Sequence, residues 1–113
     1  DVARSLKAGQ IMGNVQSTGS ICDAILTPAP GALTFPILQN LAGSGLVVSD
    51  DQALHAMALA FSSLKLVLEP GGAVALAAAL FDPDLGGDDV IAIASGGNVD
   101  PAIFMRALTE FGA

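Results

Sequence analysis

The chain has one cysteine, one histidine and only four basic side chains in 113 residues. A lone cysteine, Cys22, excludes an internal disulfide and fits a reducing compartment, so the expected location is cytoplasmic. It reads as a small buried hydrophobe. The lone histidine, His55, has no cysteine, second histidine or paired carboxylate at ligand spacing. It supports no nucleophile–base arrangement and reads as a residue on a solvated helix face. Four Lys and Arg against eleven Asp and Glu give a net charge of −7, which argues against a nucleic-acid partner. No apolar run is long enough for a bilayer: the longest, Gly71 to Phe81, falls well short of the ~18–20 residues required. Walker-type and dinucleotide glycine motifs are absent. So are internal repeats and low-complexity segments.

What is present is apolar and small. Hydrophobic residues make up 52% of the chain and charged ones 13%. That is greasy for a lone domain of this size, so some apolar surface is expected to meet protein outside this sequence. Asp1 to Ala8 reads as a short helix, with Val2 and Leu6 paired and Gly9 at its end. Residues 11–20 read as a loop, and Ser20 to Ile25 as a weak strand or extended ledge. Thr27-Pro28-Ala29-Pro30-Gly31 is strong punctuation. Thr34 is the expected N-cap of a helix over Phe35–Leu41, with Pro36 in its first turn. Leu46–Val48 reads as a short strand.

The best-defined helix start is Ser49-Asp50-Asp51-Gln52, a capping box with two acids at the positive end of the dipole. Leu54, Met57, Ala58, Phe61, Leu64 and Leu68 continue at spacings of three and four, predicting a helix to about Leu68. Glu69-Pro70 breaks the chain. Ala73 to Phe81 is apolar on every side and is expected to be covered on nearly all faces. Residues 82–89 form an acidic surface loop. Val90–Ala94 reads as a buried parallel strand, and Asp100-Pro101 opens a last helix carrying Ile103, Phe104, Ala107, Leu108 and Phe111. Two short strands, each followed by helices, imply βα units. They are too few for a stable sheet, and the chain opens at Asp1 inside a helical turn; the expectation is part of a larger domain.

Ser95-Gly96-Gly97-Asn98-Val99-Asp100 lies where open α/β sheets bind ligands, at the carboxyl end of a strand. Ser95 is either a neutral hydroxyl for a ring nitrogen or a serine satisfying backbone groups in a tight turn. Glu69 is either a carboxylate aimed into a cleft or an acceptor for the amides of the next helix. Gly71 and Gly72 in that helix's first turn cost propensity, which implies a close approach there. Lys7 and Lys65 read as exposed lysines; desolvation would be needed for Schiff-base chemistry.

Leu68-Glu69-Pro70-Gly71-Gly72-Ala73-Val74-Ala75, followed by Ser95-Gly96-Gly97-Asn98-Val99-Asp100, resembles the C-terminal part of the threonine/serine dehydratases. These are fold type II pyridoxal-phosphate enzymes, a group that includes serine racemase. Residues 1–9, 20–24 and 33–36 resemble the same family in the same order. The resemblance implies an α/β fold: the C-terminal segment of the large domain of a tryptophan synthase β-like enzyme, with short parallel strands flanked by helices. Residues 1–113 would be a partial cofactor-binding domain.

It also implies roles. Ser95 would bond the pyridine nitrogen of pyridoxal 5'-phosphate, Glu69 would lie beside the ring, and Ala24 would place backbone near it. Asp1 would be one carboxylate of a divalent-cation site for Mg²⁺ or Ca²⁺. Neither lysine matches the Schiff-base position, so these residues alone would be inert. The implied activity of the whole protein is ammonia-lyase: β-elimination of a hydroxy amino acid to a 2-oxo acid and ammonia. Within the family the alternatives are a racemase or a hydroxyaspartate dehydratase. Outside it, the alternative is a non-catalytic interaction module. The implied partners are a small amino acid, the rest of the same enzyme and further copies of it.

Overall fold

The computed structural model describes residues 1–16 and 19–112. The chain forms two compact units, Asp1–Ser20 with Ile25–Val47, and Ile21–Ala24 with Val48–Ala113.

In the first unit, α1 (Val2–Ala8) starts on the carboxylate of Asp1, which accepts from the Val2 amide at 2.7 Å. It ends at Gly9 in the left-handed conformation, φ 70°. Ser5 is its fully buried residue. The Ser5 hydroxyl accepts from the Met12 amide at 2.9 Å, which pins the chain after the helix. No signal in the sequence marked that serine. The predicted loop carries no helix or strand over 11–16 and 19–20; Ser17 and Thr18 lie outside the described residues. Helix α2 (Phe35–Leu41) holds the predicted bounds and buries Phe35. Thr34 departs from expectation. Its hydroxyl makes no cap bond and donates to the Gly31 carbonyl at 3.2 Å instead. A local turn competes for the same side chain.

The second unit is built on α3 (Asp50–Leu59), which packs against both α4 (Pro70–Phe81) and α5 (Pro101–Phe111). The capping box forms as read: Ser49 Oγ accepts from the Gln52 amide at 3.1 Å, and Gln52 Oε1 accepts from the Ser49 amide at 2.8 Å. Leu54 and Met57 fill the centre, with Ala56, Ala60, Ala73, Ala77, Ala107 and Leu68 around them. Small side chains at the facing positions let the helices approach closely. Full burial of Leu54 and Met57 stabilises by roughly 1.5–3 kcal/mol each.

The long helix does not reach Leu68. After Leu59 it widens into a π-helical turn, Ala60–Leu64, and stops at Lys65 with φ 60°. The Leu66 amide closes back on the Ala60 carbonyl at 3.2 Å. Lys65 donates from Nζ to the Ser62 carbonyl at 2.6 Å. No glycine advertises this stop. Leu68 keeps its place in the core from a non-helical segment.

Helix α4 starts at Pro70, which places Gly71 and Gly72 in its first turn as read, and buries Pro70, Gly71, Gly72, Ala73 and Ala77. Its other faces are only half-covered, and Leu80 is exposed. The expectation of cover on nearly all sides is not met within this chain.

His55 also differs. It is half-buried, its ring stacked 4.9 Å from Phe81 and 5.3 Å from Phe111. Each of these phenylalanines is the last residue of a helix that packs on α3.

Among the described residues there is no strand. Leu46–Val48 and Val90–Ala94 form no ladder, and Ile91 is 95% exposed. A strand is a property of a pair, and these runs have no paired neighbour here. Ser20–Ile25 is not a strand either: Asp23–Ile25 is a 3₁₀ turn, seeded by Asp23 Oδ1 accepting from the Ala24 amide at 2.9 Å.

Helix α5 starts as read. Asp100 Oδ1 accepts from the Ala102 amide at 2.7 Å, with Pro101 in the first helical position. Asp100→Ala is expected to destabilise by about 0.5–2 kcal/mol, measured as a lower denaturant midpoint. The Arg106 side chain bonds Glu110 at 3.0 Å, which holds the guanidinium above its usual range. Being exposed, that pair adds little.

Candidate cofactor site

The two motifs singled out in the sequence meet in the second unit. Glu69 stands at the N-cap position of α4 in extended conformation, φ −81° and ψ 162°. Its amide donates to the Gly96 carbonyl at 3.0 Å. Its carboxylate makes no cap bond and lies against Gly96 instead, where a side chain would collide with it.

Two further glycines complete the junction. A Cβ on Gly72 would sit 2.5 Å from the Gly96 carbonyl oxygen and 2.7 Å from its nitrogen. A Cβ on Gly97 would sit 2.6 Å from the Val67 carbonyl oxygen. The first turn of α4 and the 95–97 backbone are therefore in direct main-chain contact. This is the close approach that Gly71-Gly72 implied.

Around this junction lies a cleft of about 360 Å³, lined by Ile21, Asp23, Glu69, Asn98, Asp100 and Ile103 among others. Asp23 and Asn98 were not singled out from sequence, although each lies inside a stretch that carried the resemblance. Ser95 is exposed. Among the described residues no hydrogen bond engages its hydroxyl, so it does not serve as a tie within the turn. Ala24 is exposed in the 3₁₀ turn beside Asp23.

Asp1 belongs to the other unit. Its carboxylate caps α1 and accepts from Thr27 Oγ1 at 3.3 Å. Among the described residues no group of three His, Cys, Asp or Glu is placed to hold a metal ion. Cys22 is buried. Lys7 and Lys65 are both exposed.

The junction joins close-packed glycine backbone to a carboxylate, with a serine next in the chain. Only glycine allows this packing, since the Cβ positions of Gly72, Gly96 and Gly97 are taken up by Gly96, Glu69 and Val67 respectively. Ser95, with its neutral hydroxyl, directly precedes Gly96 in the chain but is not among the residues lining the cleft, and the Glu69 carboxylate lies against Gly96 without helix amides to serve. These are groups that fit a pyridine nitrogen and the rim of a substituted pyridine.

The family model for pyridoxal-phosphate dependent enzymes matches residues 1–96, and the chain belongs to that family. The serine racemase of Oryza sativa subsp. indica is 36% identical over 114 residues, spanning 96% of this chain and 33% of that protein. The beta-hydroxyaspartate dehydratase of Paracoccus denitrificans is 36% identical over 101 residues, spanning 88% of this chain and 31% of that protein. Among solved structures, the T.th. threonine deaminase superposes with a TM-score of 0.83 at 37% identity, covering 88% of this chain and 34% of that one. The chain thus spans about a third of the length of the relatives it matches. The family drawn from the two motifs is borne out.

Proposed function

We propose that these residues form one wall of the pyridoxal-phosphate site of an enzyme that removes the β-hydroxyl of threonine or serine, giving a 2-oxo acid and ammonia. One observation carries the reading. The Glu69 carboxylate serves no helix amide, and it lies on the glycine backbone that leads out of Ser95, whose hydroxyl is unengaged. The cofactor, when bound, supplies the electron sink for bond breaking at the amino acid's α-carbon.

The chain's own residues orient and temper it. Ser95 offers the ring nitrogen a neutral hydroxyl, which does not force its protonation. Glu69 lies beside the ring, and the backbone at Ala24 lines the approach. Asp1 contributes a carboxylate to a Mg²⁺ or Ca²⁺ site completed by residues outside this chain. The Schiff-base lysine lies outside these residues, since Lys7 and Lys65 both face solvent; alone, the 113 residues are inert. In the whole enzyme Leu46–Val48 and Val90–Ala94 pair as parallel strands, which covers the exposed Val90, Ile91 and Ile93. The enzyme is a cytoplasmic homo-oligomer.

A racemase is the second reading, favoured by the 36% identity to rice serine racemase. The intact gene product, supplied with pyridoxal phosphate and Mg²⁺, separates the two. The expected result is visible absorbance of the bound cofactor and ammonia released from L-threonine or L-serine. Inversion of serine without ammonia supports the racemase. No absorbance and no turnover overturns both and leaves a non-catalytic module.

A further inference from the structure

We propose that the first unit carries a second ligand site, a groove for a small organic monocarboxylate, independent of the cofactor site. The groove has a volume of about 500 Å³, within the range of small-molecule pockets. One wall is α1, through Ala3, Arg4, Leu6 and Lys7; the other is the Gly43-Ser44-Gly45 loop. The walls are fixed against each other. A Cβ on Gly45 would lie 2.7 Å from the Ala3 Cα, so only glycine lets the loop pack on the helix. Gln39 Nε2 donates to the Gly9 carbonyl at 3.0 Å and ties α2 to the end of α1.

Charge selects the ligand. The chain is acidic overall, yet two of its four cations line this one groove. Among the described residues neither Arg4 nor Lys7 forms an ion pair. Asp1 is the single acid in this unit's sequence, and its carboxylate is occupied by the Val2 amide and Thr27 Oγ1. Arg4 Nη2 donates to the Gly13 carbonyl at 2.7 Å, which orients the guanidinium and leaves its other N–H groups to pair with an anion. A planar carboxylate matches that fork, and Lys7 adds a second charge. The rest of the lining, Ala3, Leu6 and the loop backbone, suits a short apolar body. A bare inorganic anion would leave that surface empty.

The test reads Lys7 directly. The intact protein is treated with a limiting lysine-acylating reagent, and modification is followed residue by residue by mass spectrometry. Lys65, exposed and outside the groove, serves as the internal control. Millimolar butanoate is expected to slow acylation of Lys7 several-fold and to leave Lys65 unchanged. Sodium chloride at equal ionic strength leaves both unchanged. Ser44→Phe, which fills the groove, and Arg4→Gln, which removes a cation, each abolish the protection. No slowing by butanoate, equal slowing at both lysines, equal protection by inorganic phosphate, or protection that survives in either folded variant overturns the proposal. Because the readout is local to Lys7, it stands whether or not the cofactor site is active.

Discussion

Gly72→Ala is expected to destabilise the protein by about 2 kcal/mol or more, although it replaces glycine by the best helix former inside a helix. Two terms oppose each other. Removing a helical glycine contributes roughly 0.5–1 kcal/mol of stability through the unfolded chain and helix propensity. Against it stands a new methyl group 2.5 Å from the Gly96 carbonyl oxygen and 2.7 Å from its nitrogen. Overpacking of this kind costs typically about 1–3 kcal/mol, and occasionally more. Here the struck atoms are main chain, which cannot rotate away as a side chain does, so the upper part of that range applies.

The displaced backbone is also the one that follows Ser95, so cofactor retention is expected to fall with stability. Gly86→Ala is the control. A Cβ there meets nothing within 4 Å, and the change is expected to be neutral or slightly stabilising. Denaturant midpoints of the two variants, side by side, decide the matter. Equal midpoints mean that the α4 turn and the 95–97 backbone are not in contact in solution.

The features legible in the sequence were those settled within a few residues. Ser49 and Gln52 find each other across one turn, and Asp100 reaches Ala102 without help from elsewhere. The glycines of the EPGG stretch announced a close approach, but nothing local named the partner; the contact with Gly96 is a tertiary fact. The departures from the sequence pattern share the same cause. Leu68 keeps helical spacing, yet the helix had already stopped at Lys65, a residue with no intrinsic liking for positive φ. A π-helical turn adds one residue to a turn and leaves no compositional mark. His55 reads as solvated because the two phenyl rings stacked against it come from the ends of other helices. Thr34 had the right chemistry for a cap and used it on Gly31.

The strands are a different kind of case. Val90–Ala94 has the β-branched pattern of a buried parallel strand, and the run stands without ladder partners among the described residues. Pattern reports what a segment suits, whereas a ladder needs a second segment. The same logic explains the half-covered α4 and the exposed Ile91 and Ile93.

Ser95→Ala, made in the intact protein, is expected to leave the fold intact and to weaken the cofactor site. A serine that closed a turn would cost about 0.5–2 kcal/mol on removal of its hydroxyl. Among the described residues the Ser95 hydroxyl closes nothing, and an exposed substitution of this kind moves stability by no more than about 0.5 kcal/mol. The lost bond to a ring nitrogen should appear elsewhere. A net contribution of about 0.5–1.5 kcal/mol corresponds to a roughly two- to tenfold loss in cofactor affinity. Turnover per folded molecule falls as well, because the ring loses the partner that orients it.

Ser95→Thr keeps the hydroxyl and is expected to restore most of both. Spectral titration of pyridoxal phosphate, the melting temperature and ammonia release from threonine together separate the outcomes. A lower melting temperature with unchanged turnover per folded molecule would return Ser95 to the role of a turn residue. Unchanged melting with lost cofactor affinity, rescued by threonine, places the hydroxyl on the ring. Glu69→Gln then extends the series. With no helix amide depending on its charge, that change should also spare stability, and any loss of turnover reports on the carboxylate beside the ring.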